Sequence, residues 1–187
     1  MILAKREILK ELAKKNGLRF DPPIPKEDVD QVSIDLRLGH SFSFLKKLPK
    51  YIAEVYVSHD LMNGDYWEEV TQDEYSLRPG QFVLTKTFEK VTLPADIAAF
   101  VEGRSTWGRV GVTVHVTAPK IDPGYSNTIT LEMANLGPFP IKLRAEVDKP
   151  CQLILFRTTS RVAKQDLYGA KSTDLYQFHD SPILTKH

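Results

Sequence analysis

The residues best suited to chemistry lie in one stretch, Gly103 to Glu132, which opens with cationic and hydroxyl side chains and closes with a carboxylate. Hydroxyls, guanidinium groups and the free amides at the start of a helical turn together bind phosphate well. A capped surface turn with two solvated arginines explains the same residues equally well, because Ser and Thr are common helix N-caps. The residues of this opening turn are Arg104, Ser105, Thr106 and Arg109.

Two carboxylates and a tyrosine follow the opening turn. Glu132 lies on the polar side of the alternating segment 128–134. A partly buried carboxylate can transfer protons, but the alternation alone favours a Glu132 that faces solvent. Asp122 precedes a Pro-Gly pair and is by itself most simply a turn residue. Tyr125 either stacks on a ligand or covers this loop.

The histidine and cysteine content gives little indication of a metal site or a disulfide. His115 lies on the polar side of the alternating segment 110–116, where a histidine is more often a hydrogen-bonded polar residue than a metal ligand. Cys151 is the only cysteine, so the chain has neither an intramolecular disulfide nor a Cys-x-x-Cys metal pair. This cysteine usage predicts a protein of a reducing cytoplasm.

Hydrophobic periodicity predicts the elements that position these side chains. A helix is expected over 3–15, where apolar residues recur on one face. The acidic segment 58–76 is expected to form a surface loop or irregular hairpin. Many short strands with Pro/Gly turns predict a mainly β fold, a barrel or jelly-roll-like sandwich with small helical additions. Strands are predicted at 32–39, 51–57, 82–88, 97–102, 110–116, 128–134, 141–144 and 151–157.

Length and charge limit the possible classes of protein. The 187 residues are expected to form a single domain, 1–187, and 42% hydrophobic with 26% charged residues is typical of a soluble globular protein. No apolar run is long enough to cross a membrane, and the charged N-terminus is not that of a signal peptide. A formal net charge of +1 argues against nucleic acid as the main partner.

The motif GRSTWGRVGVTVHVTAPKIDPGYSNTITLE at 103–132 resembles the signature of the dCTP deaminases, which share their fold with the trimeric dUTPases. The likeness extends to QVSIDLRLG at 31–39, to VTLPAD at 91–96 and to the tail tyrosines Tyr168 and Tyr176. It implies a dUTPase-like distorted β-barrel or jelly-roll with a short N-terminal helix and small helical turns. It also implies a homotrimer with active sites shared between subunits, covered by a C-terminal tail, 162–187.

The resemblance also implies roles for single residues. Glu132 is expected to be the general acid and base, while the Ala118 carbonyl and Ser105 orient the reacting water. Magnesium is expected to bind through the triphosphate, with no protein metal site. Zinc is not expected, because the H-x-E…P-C-x-x-C signature of zinc deaminases is missing. Nucleotide and phosphate contacts are implied for Arg104, Ser105, Thr106, Arg109, Asp122, Tyr125, Tyr168, Lys171 and His179.

Three functions follow as expectations. The first is hydrolysis of dCTP to dUTP and ammonia in pyrimidine deoxynucleotide synthesis, with dTTP as a candidate inhibitor. The second is a bifunctional enzyme that goes on to dUMP and pyrophosphate, because the dUTPase aspartate that activates water corresponds to Asp122. The third is a non-catalytic nucleotide-binding regulator, because Pro119 and Leu175 replace a histidine and a lysine that are common in the family.

Overall fold

The computed structural model describes residues 1–47, 54, 66–171, 174 and 177, and in this part of the chain short β-strands surround one hydrophobic core. The helices are Lys5–Leu12 (α1) and the single turn Ser105–Gly108 (α2), with 3-10 turns at Lys26–Asp28 and Lys164–Asp166. The strands are Arg19–Asp21 (β1), Ser33–Leu36 (β2), Leu38–Leu45 (β3), Trp67–Thr71 (β4), Glu74–Leu77 (β5), Phe82–Thr92 (β6), Ile97–Gly103 (β7), Val112–Thr113 (β8), Lys120–Ile121 (β9), Ser126–Asn135 (β10), Ile141–Arg144 (β11) and Cys151–Arg157 (β12).

The larger sheet has the order β4-β3-β6-β10-β8, and β1 also pairs with β6. Its long central strands β6 and β10 are antiparallel, with Glu132 opposite Leu84 and a register shift between Thr128 and Thr130. Alternate residues of β10 are buried, Leu131 among them, so the intervening polar residues share the other face. This alternation is what places Glu132 outside the core.

A second sheet has the order β2-β12-β7-β9, and a small sheet pairs β11 with β5. In the second sheet, β7 lies between β12 and the short edge strand β9, with Ala99 opposite Ile121. The predicted strands 82–88, 97–102, 128–134, 141–144 and 151–157 are confirmed, since each lies within one of these elements. The mainly β fold class with small helical additions is confirmed as well.

The predicted strand 32–39 proves to be two strands in different sheets. β2 pairs with β12, whereas β3 pairs with β6 and β4. The chain changes sheets at Arg37, whose main-chain N–H and Nε both donate to the buried carboxylate of Glu89, at 2.9 and 2.6 Å. A period of two continues across this break, so the sequence pattern contains no sign of it.

The prediction of one strand over 110–116 is wrong. Only β8 is extended there, and Val110 and Val116 are exposed while Val112 and Val114 are buried. The chain is still leaving the α2 turn at Gly111, where φ is +86° and a Cβ would lie 2.4 Å from the Gly137 nitrogen. Glycine is therefore needed at this position. The alternating valines begin at Val110, before the extended strand β8 begins.

The acidic segment 58–76 differs from its prediction where it is described. β4 pairs with β3 and β5 pairs with β11, so they form neither a loop nor a hairpin with each other. β4 is a sheet edge with exposed Glu68 and Glu69, and such charged edges look loop-like in sequence. The predicted strand 51–57 lies almost entirely outside the described residues.

The N-terminal helix is confirmed with shorter bounds than 3–15. Leu3 instead donates its N–H to the Leu155 carbonyl, and Lys5 donates to Gln31. The helix ends at Leu12, and a Cβ at Gly17 would lie 2.2 Å from the Glu11 carbonyl oxygen. Within the described ranges, no helix is long and apolar enough to cross a membrane.

Candidate active site

A cavity of about 440 Å³ lies where the polar face of β10 meets β9, the end of β7 and the C-terminal segment at Tyr168. Its volume is within the range of small-molecule sites. Five of the residues singled out in the sequence line it: Ala118, Asp122, Tyr125, Glu132 and Tyr168. The other lining residues are Leu84, Val101, His115, Lys120, Ile121, Ile129 and Thr130.

Glu132 is half-buried and lines this cavity. The alternation favours a Glu132 that faces open solvent, and the structure differs from this expectation. Its Oε2 accepts the main-chain N–H of Val116 at 2.7 Å, and its own N–H donates to the Val114 carbonyl at 2.9 Å. The irregular segment after β8 thus orients the carboxylate. One carboxylate oxygen is engaged by this N–H, and Oε1 is the oxygen left for other contacts.

Pro119, which stands where the resembled motif commonly has a histidine, keeps a main-chain contact with β7. The Pro119 carbonyl accepts the Val101 N–H at 2.8 Å, which ties the segment to β7. A proline can make this bond because it keeps its carbonyl and lacks only the N–H. The neighbouring Ala118 consequently remains at the cavity wall.

His115 also lines the cavity, and sequence reasoning did not select it as a site residue. Its Nε2 lies 3.2 Å from Glu102 Oε2, whereas its buried Nδ1 has no hydrogen-bond partner among the described residues. The expectation of a hydrogen-bonded polar histidine therefore holds for one ring nitrogen only. When Nε2 carries the proton and donates to Glu102, Nδ1 is an acceptor.

The loop after β9 supplies a second carboxylate and an aromatic wall. Asp122 Oδ1 lies 2.9 Å from Lys120 Nζ, and Tyr125 donates its hydroxyl to the Thr128 carbonyl. Burial, and to a smaller extent neighbouring Tyr168, raises the pKa of Tyr125, so the phenol stays protonated at neutral pH. Tyr125 therefore acts here as a neutral wall and not as a base.

Tyr168 joins the C-terminal segment to this loop. Its ring centroid is 5.3 Å from that of Tyr125, and its N–H donates to the Pro123 carbonyl at 2.9 Å. Lys171 does not line the cavity and lies 3.6 Å from Asp166. His179, Tyr176 and Leu175 fall outside the described residues, as does most of the predicted covering tail 162–187 beyond Lys171.

The opening turn, which contains α2, does not line the cavity of its own chain. None of Arg104, Ser105, Thr106 and Arg109 is among the lining residues. The predicted single helical turn is confirmed as α2, but the idea that Ser105 or Thr106 caps it is wrong. Arg104 occupies the N-cap position, and no side chain makes a capping hydrogen bond.

Two contacts fasten α2 to the body of the protein. Arg104 Nη1 lies 3.1 Å from Asp35 Oδ2, and Trp107 Nε1 donates to the Lys149 carbonyl at 3.1 Å. Burial raises the pKa of Asp35, which the charge of Arg104 opposes. The indole N–H of Trp107 therefore anchors the turn.

Comparison with known proteins decides the family. The dCTP deaminase-like family model matches residues 2–158. The chain belongs to the dCTP deaminase-like family. A Methanosphaera stadtmanae protein named dCTP deaminase, dUMP-forming, is 38% identical over 189 residues, covering 99% of this chain and 93% of that protein.

Two further relatives and a solved structure agree with this family. A Halobacterium salinarum protein, also named dCTP deaminase, dUMP-forming, is 38% identical and covers 100% of this chain and 94% of its own length. A Haloarcula marismortui protein named dCTP deaminase is 37% identical with the same coverage, 100% and 94%. The crystal structure of 2'-deoxycytidine 5'-triphosphate deaminase from Agrobacterium tumefaciens aligns with a TM-score of 0.62 at 25% identity, over 82% of this chain and 46% of that chain.

Proposed function

We propose that the protein deaminates dCTP and then hydrolyses the product between its α and β phosphates, releasing dUMP and pyrophosphate. The observation that carries this proposal is that Glu132 and Asp122 line one cavity. Two carboxylates in one site can serve two successive hydrolytic steps. The relatives named as dUMP-forming support it further. The simpler reaction that stops at dUTP, favoured from the sequence, has less support.

In the first step, water adds to C4 of the cytosine and ammonia leaves. Glu132 takes a proton from the attacking water and passes it to N3. It then takes the proton of the new C4 hydroxyl and passes it to the departing amino group, so that the C4 carbonyl forms as ammonia leaves. The Val116 N–H holds Oε2, so that Oε1 faces the reacting centre. The Ala118 carbonyl accepts a hydrogen bond from the water, which fixes the direction of attack.

In the second step, Asp122 activates a second water for attack on the α-phosphate, and pyrophosphate is the leaving group. The Lys120 ammonium keeps the Asp122 carboxylate beside the cavity. Tyr125 and Tyr168 form an apolar wall against which the deoxyribose packs. Each step consumes one water, so each dCTP yields one ammonia, one dUMP and one pyrophosphate.

Magnesium, when bound with the triphosphate, supplies charge neutralisation on the phosphate oxygens. Within the described part of the chain, no three His, Cys, Asp or Glu side chains are grouped to hold a metal ion. A magnesium ion bound mainly through phosphate oxygens and water would not need such a group.

The position of α2 favours sites shared between subunits of a homotrimer. Its hydroxyls and arginines do not line the cavity of their own chain. We therefore place Arg104, Ser105, Thr106 and Arg109 against the triphosphate in the cavity of a neighbouring subunit, where Ser105 also orients the reacting water. Lys171 and His179 would reach the phosphates from the tail. dTTP would compete for the same cavity.

Product analysis tests this function. The purified protein is incubated with dCTP and magnesium, and ammonia, dUTP, dUMP and pyrophosphate are quantified over time. We expect ammonia, dUMP and pyrophosphate in equal amounts with little free dUTP. Accumulation of dUTP without dUMP would exclude the second step, and tight dCTP binding without ammonia would favour the non-catalytic regulator.

A further inference from the structure

The side-chain amide of Gln177 holds the main chain of the Asp122–Ser126 loop at two points. Its Oε1 accepts the Ser126 N–H at 3.0 Å, and its Nε2 donates to the Gly124 carbonyl at 3.2 Å. A side-chain amide presents the same donor and acceptor as a peptide group. Gln177 therefore grips this loop much as a neighbouring strand would.

The gripped loop forms a wall of the candidate active site. Asp122 and Tyr125 line the cavity, and they lie within the loop that Gln177 holds. On its opposite side the loop bonds to Leu93, whose carbonyl accepts the Gly124 N–H at 3.2 Å and whose N–H donates to the Tyr125 carbonyl at 2.9 Å. The loop is thus held from both sides, by β6's end and by Gln177.

The segment around Gly169 is shaped to receive the glutamine. Gly169 has a φ of +91°, and a Cβ there would lie 2.9 Å from Gln177 Cγ and 3.1 Å from Nε2. Asp174 Oδ2 accepts the N–H groups of Gly169 and Lys171, at 2.9 and 3.0 Å. This turn leaves a space for the Gln177 side chain, and any side chain at position 169 would reduce that space.

We propose that Gln177 is a positioning residue of the active site, whose amide sets the Asp122–Ser126 loop and so the placement of Asp122 and Tyr125 in the cavity. It acts through the loop and touches no reacting atom. The catalytic consequence rests on the proposed function, whereas the grip on the loop is a property of the chain alone. Hydrogen exchange tests the contact between Gln177 and the loop, and kinetics with dCTP test its catalytic consequence.

The grip is measured by amide hydrogen exchange on the full chain, comparing wild type with Gln177→Met. Methionine keeps the length and bulk of the side chain and removes both hydrogen bonds. We expect exchange at the Ser126 amide to accelerate about fivefold or more, since its acceptor is lost. Gly169→Ala should have the same effect by displacing Gln177. Unchanged exchange in both variants would overturn the proposal, whether or not the chain deaminates dCTP.

Gln81→Met is the matched control. Gln81 accepts the Arg78 N–H at 3.0 Å and donates to the Tyr75 hydroxyl, and neither Gln81 nor its partners line the candidate site. Its substitution should leave both the Ser126 exchange rate and the turnover of dCTP unchanged. Equal effects of the two substitutions on the loop would mean a general loss of stability and would contradict a positioning role.

Kinetics with Gln177→Glu test the coupling to the reaction. At pH 8 the carboxylate accepts from Ser126 but cannot donate to Gly124, and kcat/KM for dCTP should fall about tenfold. Protonation restores a donor, so this deficit should shrink as the pH is lowered towards the ordinary glutamate pKa of about 4.3. The deficit of Gln177→Met should not shrink. Parallel pH profiles for the two variants would overturn the proposed coupling between Gln177 and the reaction. If neither wild type nor variants deaminate dCTP while Ser126 exchange is altered, only the proposed function is contradicted.

Discussion

At the scale of single residues, the orientation of Glu132 depends on one main-chain hydrogen bond from a segment that is neither helix nor strand. Val116 donates this bond, and the exposed valine side chain contributes nothing to the core. The irregular path from β8 to β9 is therefore what lets the backbone reach a side chain on β10. A regular strand over 110–116 would have used this N–H in a ladder.

Replacing Glu132 by glutamine should abolish deamination while leaving the fold intact. Glutamine keeps an oxygen that accepts the Val116 N–H, but it cannot take up a proton from water, so turnover should fall at least about 100-fold. Ammonia release measures this loss, and calorimetric binding of dCTP should remain close to wild type. Glu68→Gln, on the exposed edge strand β4, is the control. Near-normal turnover by the Glu132 variant would mean that another residue is the base.

Asp122→Asn should separate the two proposed reactions. The amide still pairs with Lys120 but cannot activate water, so dUTP should accumulate while ammonia is still released. The expected change is in the ratio of dUMP to ammonia, which should fall about 100-fold from near unity. Chromatography of the nucleotide products gives this ratio. A ratio that stays near unity would remove Asp122 from the second step.

At the scale of elements, ion pairs attach α1 to one end of the second sheet. Arg157 on β12 pairs with Glu11 of α1 and with Asp96, and Lys14 Nζ lies 2.6 Å from the Glu11 carboxylate. Burial acts to raise the pKa of Glu11, but the hydrogen bonds from Lys14 and Arg157 outweigh it and lower the pKa. Glu11 is buried and Arg157 is half-buried, so solvent screens their ion pair less than that of Glu11 with the exposed Lys14.

The lowered pKa of Glu11 predicts a pH-dependent contribution to stability. For a depressed carboxyl, the stabilisation is present above the unfolded pKa of about 4.3 and is lost as the pH falls through the lower folded pKa. Glu11→Gln should therefore cost roughly 2 kcal/mol in the free energy of unfolding at pH 7 and less at pH 3. Denaturant unfolding at the two pH values tests this. An equal cost at both would contradict it.

Trp107 should prove structural in the turn α2. Trp107→Phe keeps the packing against the core and loses the bond to the Lys149 carbonyl, which should lower the free energy of unfolding by about 1 kcal/mol. Unfolding by urea measures the loss. An unchanged free energy of unfolding for Trp107→Phe would show that this hydrogen bond does not anchor the turn.

At the scale of the whole molecule, the proposed placement of α2 at a neighbouring subunit's cavity predicts complementation between inactive subunits. Ser105→Ala and Glu132→Gln should each be inactive alone. In a co-expressed 1:1 mixture, about a quarter of the shared sites would combine an intact Ser105 with an intact Glu132. Ammonia release by the tagged, co-purified mixture should therefore recover to about a quarter of wild type. No recovery in a mixture shown to contain hybrid trimers would place each site within one chain.

Several features followed from the sequence because they depend on neighbouring residues. Period-two alternation sufficed for β10 and β12, since each buries one face along its whole length. The break at Arg37 could not be seen, because the choice between sheets depends on Glu89, 52 residues away. β4 and β9 were missed because they are an edge strand and a two-residue strand, whose pairing depends on distant partners.

Sequence patterns alone indicate the family, the mainly β fold and the residue types of the candidate site. Those properties are carried by local patterns and by an ordered motif, which persist without knowledge of distant contacts. Only the three-dimensional contacts show that Glu132, Ala118, Asp122 and His115 line one cavity, that no α2 residue lines it, and that Gln177 bonds to the loop after Asp122. The reason is that these relations are long-range contacts, set by sheet order and chain turns that the alternation of side chains does not encode.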